Sequence, residues 1–244
     1  MSTIWITSDF HFGHDKDFIY KPRGFKSIQE HDESLIANFN ALVNPEDEVY
    51  ILGDLCLNNT DHGIECLRRL HGKLHIILGN HDTASRIERY TSLPAVCEVE
   101  YATVLKAYGH HFYLSHYPAL VANHDENKPL KARMISLCGH THTDDPFVDW
   151  DKGAIFHCEV DAHSNFPIAL DDIIEQIRNR INTENPKVYT AKDTSDLIIN
   201  RHRFILGECN KCVHSNYCGP RPCESKCPPG MKYKRDPPDG GYYG

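Results

Sequence analysis

The sequence predicts an α/β fold. Short apolar runs alternate with helical patterns through the first three quarters of the chain. At least four of those runs end in a polar cluster: Ser-Asp-Phe-His at 8–11, Gly-Asp at 53–54, Gly-Asn-His-Asp at 79–82 and Gly-His-Thr-His at 139–142. Ligand sites in α/β proteins gather at the carboxyl ends of strands, so four converging ends predict one site.

Each element has its own signal. Ile4 to Ser8 reads as a strand. Ile28 to Val43 reads as a helix, because Ile28, Leu35, Ile36, Phe39, Leu42 and Val43 recur on one face. Val49 to Gly53 and Leu74 to Leu78 are apolar runs of strand length, with a short helix over Ile64 to Leu70 between them. Val96 to Ala107 and Phe112 to His116 read as strands around a Tyr108-Gly109 turn. Ile135 to Cys138, Ile155 to Asp161 and Ile168 to Leu170 complete the strands. Asp171 to Ile181 is the last helix, with Ile173, Ile174, Ile177 and Ile181 on its apolar face and Asp171 or Asp172 as its cap.

The chain of 244 residues is long enough for one substantial core plus an appendage. Its formal net charge of −8 gives the surface no electrostatic reason to bind nucleic acid tightly and non-specifically. Bound divalent cations would place positive charge at one point and draw an anionic substrate there. The start shows no secretory signal, and no run reaches the roughly 20 apolar residues that span a bilayer. A cytoplasmic protein without a membrane partner is expected, with its thiols reduced. The composition shifts after Asn182, which places a domain over 1–182 and a linker plus cysteine-rich extension over 183–244, its tail poorly ordered.

The strand ends carry what a two-metal site needs: a bridging carboxylate, further oxygen donors and several neutral imidazoles. Asp9 and His11 lie two positions apart, so both can point to one side of an extended segment, and His140 and His142 repeat that spacing. Asp54 follows Gly53, where the backbone can turn tightly. Asn80 offers a neutral oxygen beside His81, and His116 ends a strand before Tyr117-Pro118. Any one of these is ordinarily a turn or surface residue; the ordered set at successive strand ends is not.

These motifs, Ser-Asp-Phe-His-Phe-Gly-His, Leu-Gly-Asp-Leu, Leu-Gly-Asn-His-Asp, Ser-His-Tyr-Pro and Cys-Gly-His-Thr-His, resemble the successive motifs of calcineurin-like metallophosphoesterases over roughly residues 1–175. The opening is similar to that of a bacterial and phage subgroup. The resemblance implies a four-layer αββα sandwich of two mixed sheets. It implies that Asp9, His11 and His142 hold one metal, that Asn80, His116 and His140 hold the other, and that Asp54 bridges. His81 would contact the substrate phosphate and protonate the leaving oxygen, and Asp82 would orient His81. Attack by a hydroxide shared between the metals needs no protein nucleophile. Oxygen and imidazole donors suit Mn, Fe, Zn or Ni, with manganese the first expectation. Cys56 and Cys138 sit beside the motifs in apolar surroundings and read as small buried residues.

Several positions carry two readings. His14 either lines the phosphate pocket or is a supporting or surface histidine. Arg23 either clamps a phosphate with its planar fork or is a solvated loop charge. The loops between Ala119 and Lys131 and between Asp144 and Gly153 are expected to rim the pocket. Cys209, Cys212, Cys218, Cys223 and Cys227 crowd into 19 positions, with His202 and His214 near. Such spacing in a reduced compartment points to structural zinc, with an iron–sulfur cluster or disulfides as the other readings. Lys211, Arg221, Lys226, Lys232, Lys234 and Arg235 make this end locally basic, which fits docking to nucleic acid or protein. The function expected is hydrolysis of a phosphomonoester or phosphodiester, including nucleotides. The alternatives are a nuclease recruited by the cysteine-rich end and a non-catalytic scaffold of the same fold; the complete ligand set argues against the scaffold.

Overall fold

The computed structural model describes residues 2–123 and 128–184. The chain divides into two compact units, Met1–Gln176 and Ile177–Gly244. The first unit holds all the described strands, and the described part of the second is the end of one helix. The five cysteines of the extension lie outside the described residues.

The first sheet contains β1 (Ile4–Thr7), β2 (Glu48–Leu52), β3 (Lys73–Ile77), β4 (Val96–Glu100) and β9 (Ile168–Ala169). Their order is β4-β3-β2-β1-β9, with β9 antiparallel and the rest parallel. The second sheet is β5 (Ala102–Ala107), β6 (His110–Ser115), β7 (Met134–Cys138) and β8 (Ile155–His157), with an antiparallel β5–β6 hairpin and parallel pairs after it. Both sheets are therefore mixed.

Helices α2 (Ile28–Leu42), α3 (Thr60–Arg68) and α4 (Ala84–Thr91) follow strands of the first sheet. Strand alternation explains how the layers form. Trp5, Val49, Ile51, Leu74 and Ile76 point to one face and join Leu35, Phe39, Leu67 and Tyr90 of the helices in one core. Ile6, Leu52 and Ile77 point the other way and are equally buried, as are Phe112, Leu114, Ile135, Leu137 and Phe156 of the second sheet. This is the αββα sandwich. Two short helices, α1 (Asp17–Tyr20) and α5 (Trp150–Gly153), and the helix α6 (Leu170–Glu184) complete the described elements apart from 3-10 turns.

Four expectations change. Val96–Ala107, read as one strand, is two, β4 and β5, which meet at the exposed Tyr101 and lie on the edges of different sheets. No Gly, Pro, Asn or Asp interrupts 96–107, so the crossing carries no turn signal. The strand read over Ile155–Asp161 ends at His157 and continues as a 3-10 turn, Val160–His163. α3 starts at Thr60, because the Asn59 side chain accepts from the His62 amide and caps it. Asp171 and Asp172 lie in the first turn of α6 rather than capping it. The Tyr108-Gly109 turn is as expected, with φ of 50° and 73°, the conformation a two-residue hairpin requires.

Candidate metal centre

Parallel pairing puts the carboxyl ends of β1, β2 and β3 on one side, and those of β6 and β7 likewise. The loops are then sewn together by backbone bonds. The Asp9 amide donates to Gly53 O at 3.0 Å, the His11 amide to Asp54 O at 3.0 Å, and the Gly139 amide to His116 O at 3.0 Å. Close approach demands small residues here. A Cβ on Gly139 would overlap Ser8 Oγ and Asp9 Oδ2, and one on Gly79 would overlap Asp54 Oδ1.

All seven residues read as ligands come together. Potential donor atoms of Asp9, His11 and His142 lie within 4.8 Å of one another, and so do those of Asp9, Asp54 and His116. His11 Nε2 is 3.1 Å from His142 Nε2. Asn80 Oδ1 is 2.9 Å from His116 Nε2 and 3.0 Å from His140 Nδ1. Asp54 Oδ2 stands between the two groups, 3.6 Å from His11 Nε2 and 3.7 Å from His116 Nε2. Five of the seven, Asp9, His11, Asp54, His140 and His142, have positive φ between 52° and 79°. Left-handed backbone at non-glycine residues costs of order 1–3 kcal/mol each and clusters at functional sites.

The tautomers test whether a cation fits. His116 Nδ1 donates to Leu52 O at 2.9 Å, which leaves a lone pair on Nε2, facing Asn80 Oδ1. His142 Nδ1 bonds Asp161 Oδ2 at 3.1 Å, which leaves the lone pair of its Nε2 facing His11. Asp9 Oδ1 is buried with no hydrogen-bond partner, 3.8 and 3.7 Å from the Nε2 atoms of His11 and His142. An orphaned carboxylate oxygen among converging lone pairs is the environment that divalent cations satisfy. The donors are oxygen and imidazole nitrogen without thiolate.

Charges at the site follow from these contacts. Burial works to raise the Asp9 carboxyl, but the nearby imidazoles of His11, His142 and His116 bring it down to about 2. Burial lowers His11, outweighing the nearby Asp9 carboxylate. Burial and then His116 lower His140. For His142 burial is overcome by Asp161 and Asp9, and the net shift is upward. His14 is brought down to about 4 by burial and by His11 and His81.

His81 is set apart from the cage. Its side chain is 40% exposed, with Nε2 3.8 Å from Asp54 Oδ2. Its backbone is held from both sides, its amide donating to Asp54 Oδ1 at 2.9 Å while Arg86 donates to its carbonyl. Asp82 does not orient the ring as expected. Its oxygens accept from the amides of Asp54 at 2.9 Å and Gly79 at 2.8 Å, and from the Tyr90 hydroxyl at 2.8 Å. It shapes the loop that carries Asp54 and Asn80.

Arg23 corrects both of its readings. It is 3% exposed and faces inward. It donates to Asp161 at 2.9 and 2.7 Å, Asp9 O at 2.8 Å, Phe10 O at 3.2 Å and His31 Nε2 at 2.9 Å. A guanidinium so engaged has no fork left for a phosphate. It fixes the backbone of the first motif and the carboxylate behind His142. His14 lies at the edge of the cage, its Nδ1 3.3 Å from His11 Nδ1 and its ring packed edge-on against Phe18. Cys56 and Cys138 are buried, and burial raises both thiols.

Asp161 and His31 were not found in the sequence. Asp161 ends an apolar run, a weak signal, and its partner Arg23 lies 138 positions away. Burial works to raise the Asp161 carboxyl, but Arg23 and His142 hold it far below the usual range.

Comparisons with known proteins agree with this architecture. The calcineurin-like phosphoesterase superfamily domain matches residues 3–157. An uncharacterised protein of Methanocaldococcus jannaschii, MJ1445, is 30% identical over 183 residues, covering 72% of this chain and 92% of that protein. The Gene 66 protein of Mycobacterium phage L5 is 27% identical over 165 residues, covering 59% of this chain and 79% of that protein. Among solved structures, a protein of unknown function from Aquifex aeolicus, AQ665, shares the fold with a TM-score of 0.56 and 21% identity, covering 72% of this chain and all of that one. With motifs, sandwich and site geometry in agreement, the chain belongs to the calcineurin-like phosphoesterase superfamily.

Proposed function

We propose that this protein hydrolyses phosphate esters with the help of two divalent cations held by Asp9, His11, Asp54, Asn80, His116, His140 and His142. The observation that carries the reading is the position of Asp54 Oδ2, 3.6 and 3.7 Å from an imidazole of each group. A carboxylate so placed could serve both groups of donors. Bound cations would supply neutralisation of the phosphate oxygens and a lowered pKa for an attacking water.

The chain's own residues do the rest. Asp161 and Leu52 O hold His142 and His116 in the tautomers that present Nε2 inward. His81, half-exposed beside Asp54, donates a proton to the leaving oxygen. His14 borders the pocket that receives the phosphate. The loop of 144–153 and the described ends of the loop of 119–131, whose residues 124–127 lie outside the described residues, would rim it and select the rest of the ester, a nucleotide included. Manganese is the first choice of cation, with iron, zinc and nickel compatible with the donors. The catalytic domain is assigned to 1–182, and the five cysteines of the 183–244 extension, which lie outside the described residues, are the candidates for a structural zinc and for docking to nucleic acid or protein.

The test uses metal-stripped protein given Mn²⁺, with bis-p-nitrophenyl phosphate against p-nitrophenyl phosphate. Turnover of either ester is expected, and the preferred one assigns diesterase or monoesterase. His81→Gln is expected to lower kcat by about 10²–10⁴-fold on an alkyl phosphate ester, whose leaving alkoxide needs a proton, and far less on the p-nitrophenyl esters, while Mn²⁺ content stays unchanged. Unchanged kcat on the alkyl ester in His81→Gln would remove that residue from the mechanism.

A further inference from the structure

A second group of metal-ligating side chains lies outside the paired centre. Helix α2 supplies Asp32, and α3 supplies His62 and Cys66. His62 and Cys66 are four positions apart, so both lie on one face of α3. Asp32 Oδ2 is 2.8 Å from His62 Nε2, and Cys66 Sγ is 3.4 Å from the same nitrogen. All three donor atoms fall within 4.8 Å of one another. From these contacts we infer that Asp32, His62 and Cys66 form a third cation site, for a divalent ion that accepts a thiolate, such as zinc.

The geometry suits the ion. Tetrahedral zinc with N, O and S donors separates them by about 3.3–3.8 Å. The His62–Cys66 spacing already meets that, the Asp32–His62 contact would open by about half an ångström, and the Asp32 and Cys66 donor atoms start within 4.8 Å of each other. Asp32 is oriented from behind: Oδ1 accepts from His31 Nδ1 at 2.7 Å, and Oδ2 accepts from the Gly13 amide at 2.9 Å. Ligating carboxylates are typically held in this way.

Cys66 is buried, and burial pushes its thiol up to about 12. Without an ion the thiol keeps its proton; a bound cation takes the sulfur as thiolate and the proton leaves to solvent. There is a route in. The His62 side chain is 38% exposed and lines a cavity of about 610 Å³ with Gly13, Asp15, Asn58 and Asn59. Water from that cavity would complete the coordination.

The donor set also separates this site from the paired centre. Among the described residues a thiolate takes part here and not at the paired centre, so thiophilic ions such as zinc and cadmium favour this site while Mn²⁺ stays with the oxygen and imidazole donors. An ion here would tie α2 to α3. Through Asp32 it would also fix the Gly13 amide, and through His31 it would reach Arg23.

Thiolate-to-cobalt charge-transfer absorption tests the inference without any turnover. Full-length, metal-stripped protein is titrated with Co²⁺. A background in which Cys209, Cys212, Cys218, Cys223 and Cys227 are all replaced by Ser removes their contribution. One equivalent of thiolate-bound cobalt is expected to remain in that background, and to disappear when Cys66→Ser or His62→Gln is added. His62→Gln alters a half-exposed side chain, so an intact circular dichroism spectrum separates lost binding from lost folding. No thiolate band in the background protein, or a band that survives Cys66→Ser, would overturn the site. Asp32 and His62 would then be a hydrogen-bonded pair beside an ordinary buried thiol.

Discussion

At the scale of single residues, the cage is legible in the sequence because each donor sits in its own short motif. Gly53, Gly79 and Gly139 precede Asp54, Asn80 and His140, and two of these glycines stand where any Cβ would overlap a donor carboxylate. What the sequence hides is the layer behind the donors. Arg23 reads as a loop charge, yet its partners are Asp161, 138 positions away, and backbone carbonyls that only the fold brings near. Asp82 reads as a partner of its neighbour His81 and instead binds two amides and Tyr90. The Asp161 carboxylate fixes the His142 tautomer, so Asp161→Asn should weaken it as a donor. A loss of about 10–100-fold in Mn²⁺ affinity is expected, measured by equilibrium titration of the stripped protein. Unaltered affinity would mean that His142 is oriented by other contacts.

At the scale of elements, strongly periodic segments were readable and weakly apolar ones were not. α2 is legible because its apolar stripe is long, and its cap is equally local. Ser27 Oγ accepts from the Glu30 amide at 3.2 Å, and Glu30 in turn accepts from the Lys26 amide at 2.8 Å. Ser27→Ala should cost about 1 kcal/mol of stability, read as a lower urea midpoint with unchanged slope. α4 was missed because Ile87 and Tyr90 are its only sizeable apolar residues. Tyr90 is nonetheless fully buried, holding Asp82 from that helix. The change of sheet at Tyr101 left no mark on the β-forming pattern from Val96 to Ala107, since both sides of the crossing are strand.

At the scale of the whole molecule, two sheets meet along one edge of loops, and buried polar groups near that edge make stability depend on pH. His157 is fully buried, 3.0 Å from Asp149 and 3.2 Å from Glu159. Burial works to lower its pKa, but the Glu159 and Asp149 carboxylates prevail and raise it above the ordinary 6.5. A raised pKa contributes stability that is full below 6.5 and is lost as pH rises through the folded-state value. His157→Gln should therefore cost about 1–3 kcal/mol near pH 6 and less near pH 9, by urea unfolding at both. An equal cost at both pH values would show that His157 is held neutral. The central claim is that Asp54 joins two cations into one hydrolytic centre. The most direct measurement counts Mn²⁺ per chain in Asp54→Ala beside the unaltered protein and follows ester turnover in the same samples. Two ions and turnover are expected in the unaltered protein, and in Asp54→Ala the loss of at least one ion with turnover down by roughly 10³-fold or more. Two retained ions with undiminished turnover in Asp54→Ala would contradict it.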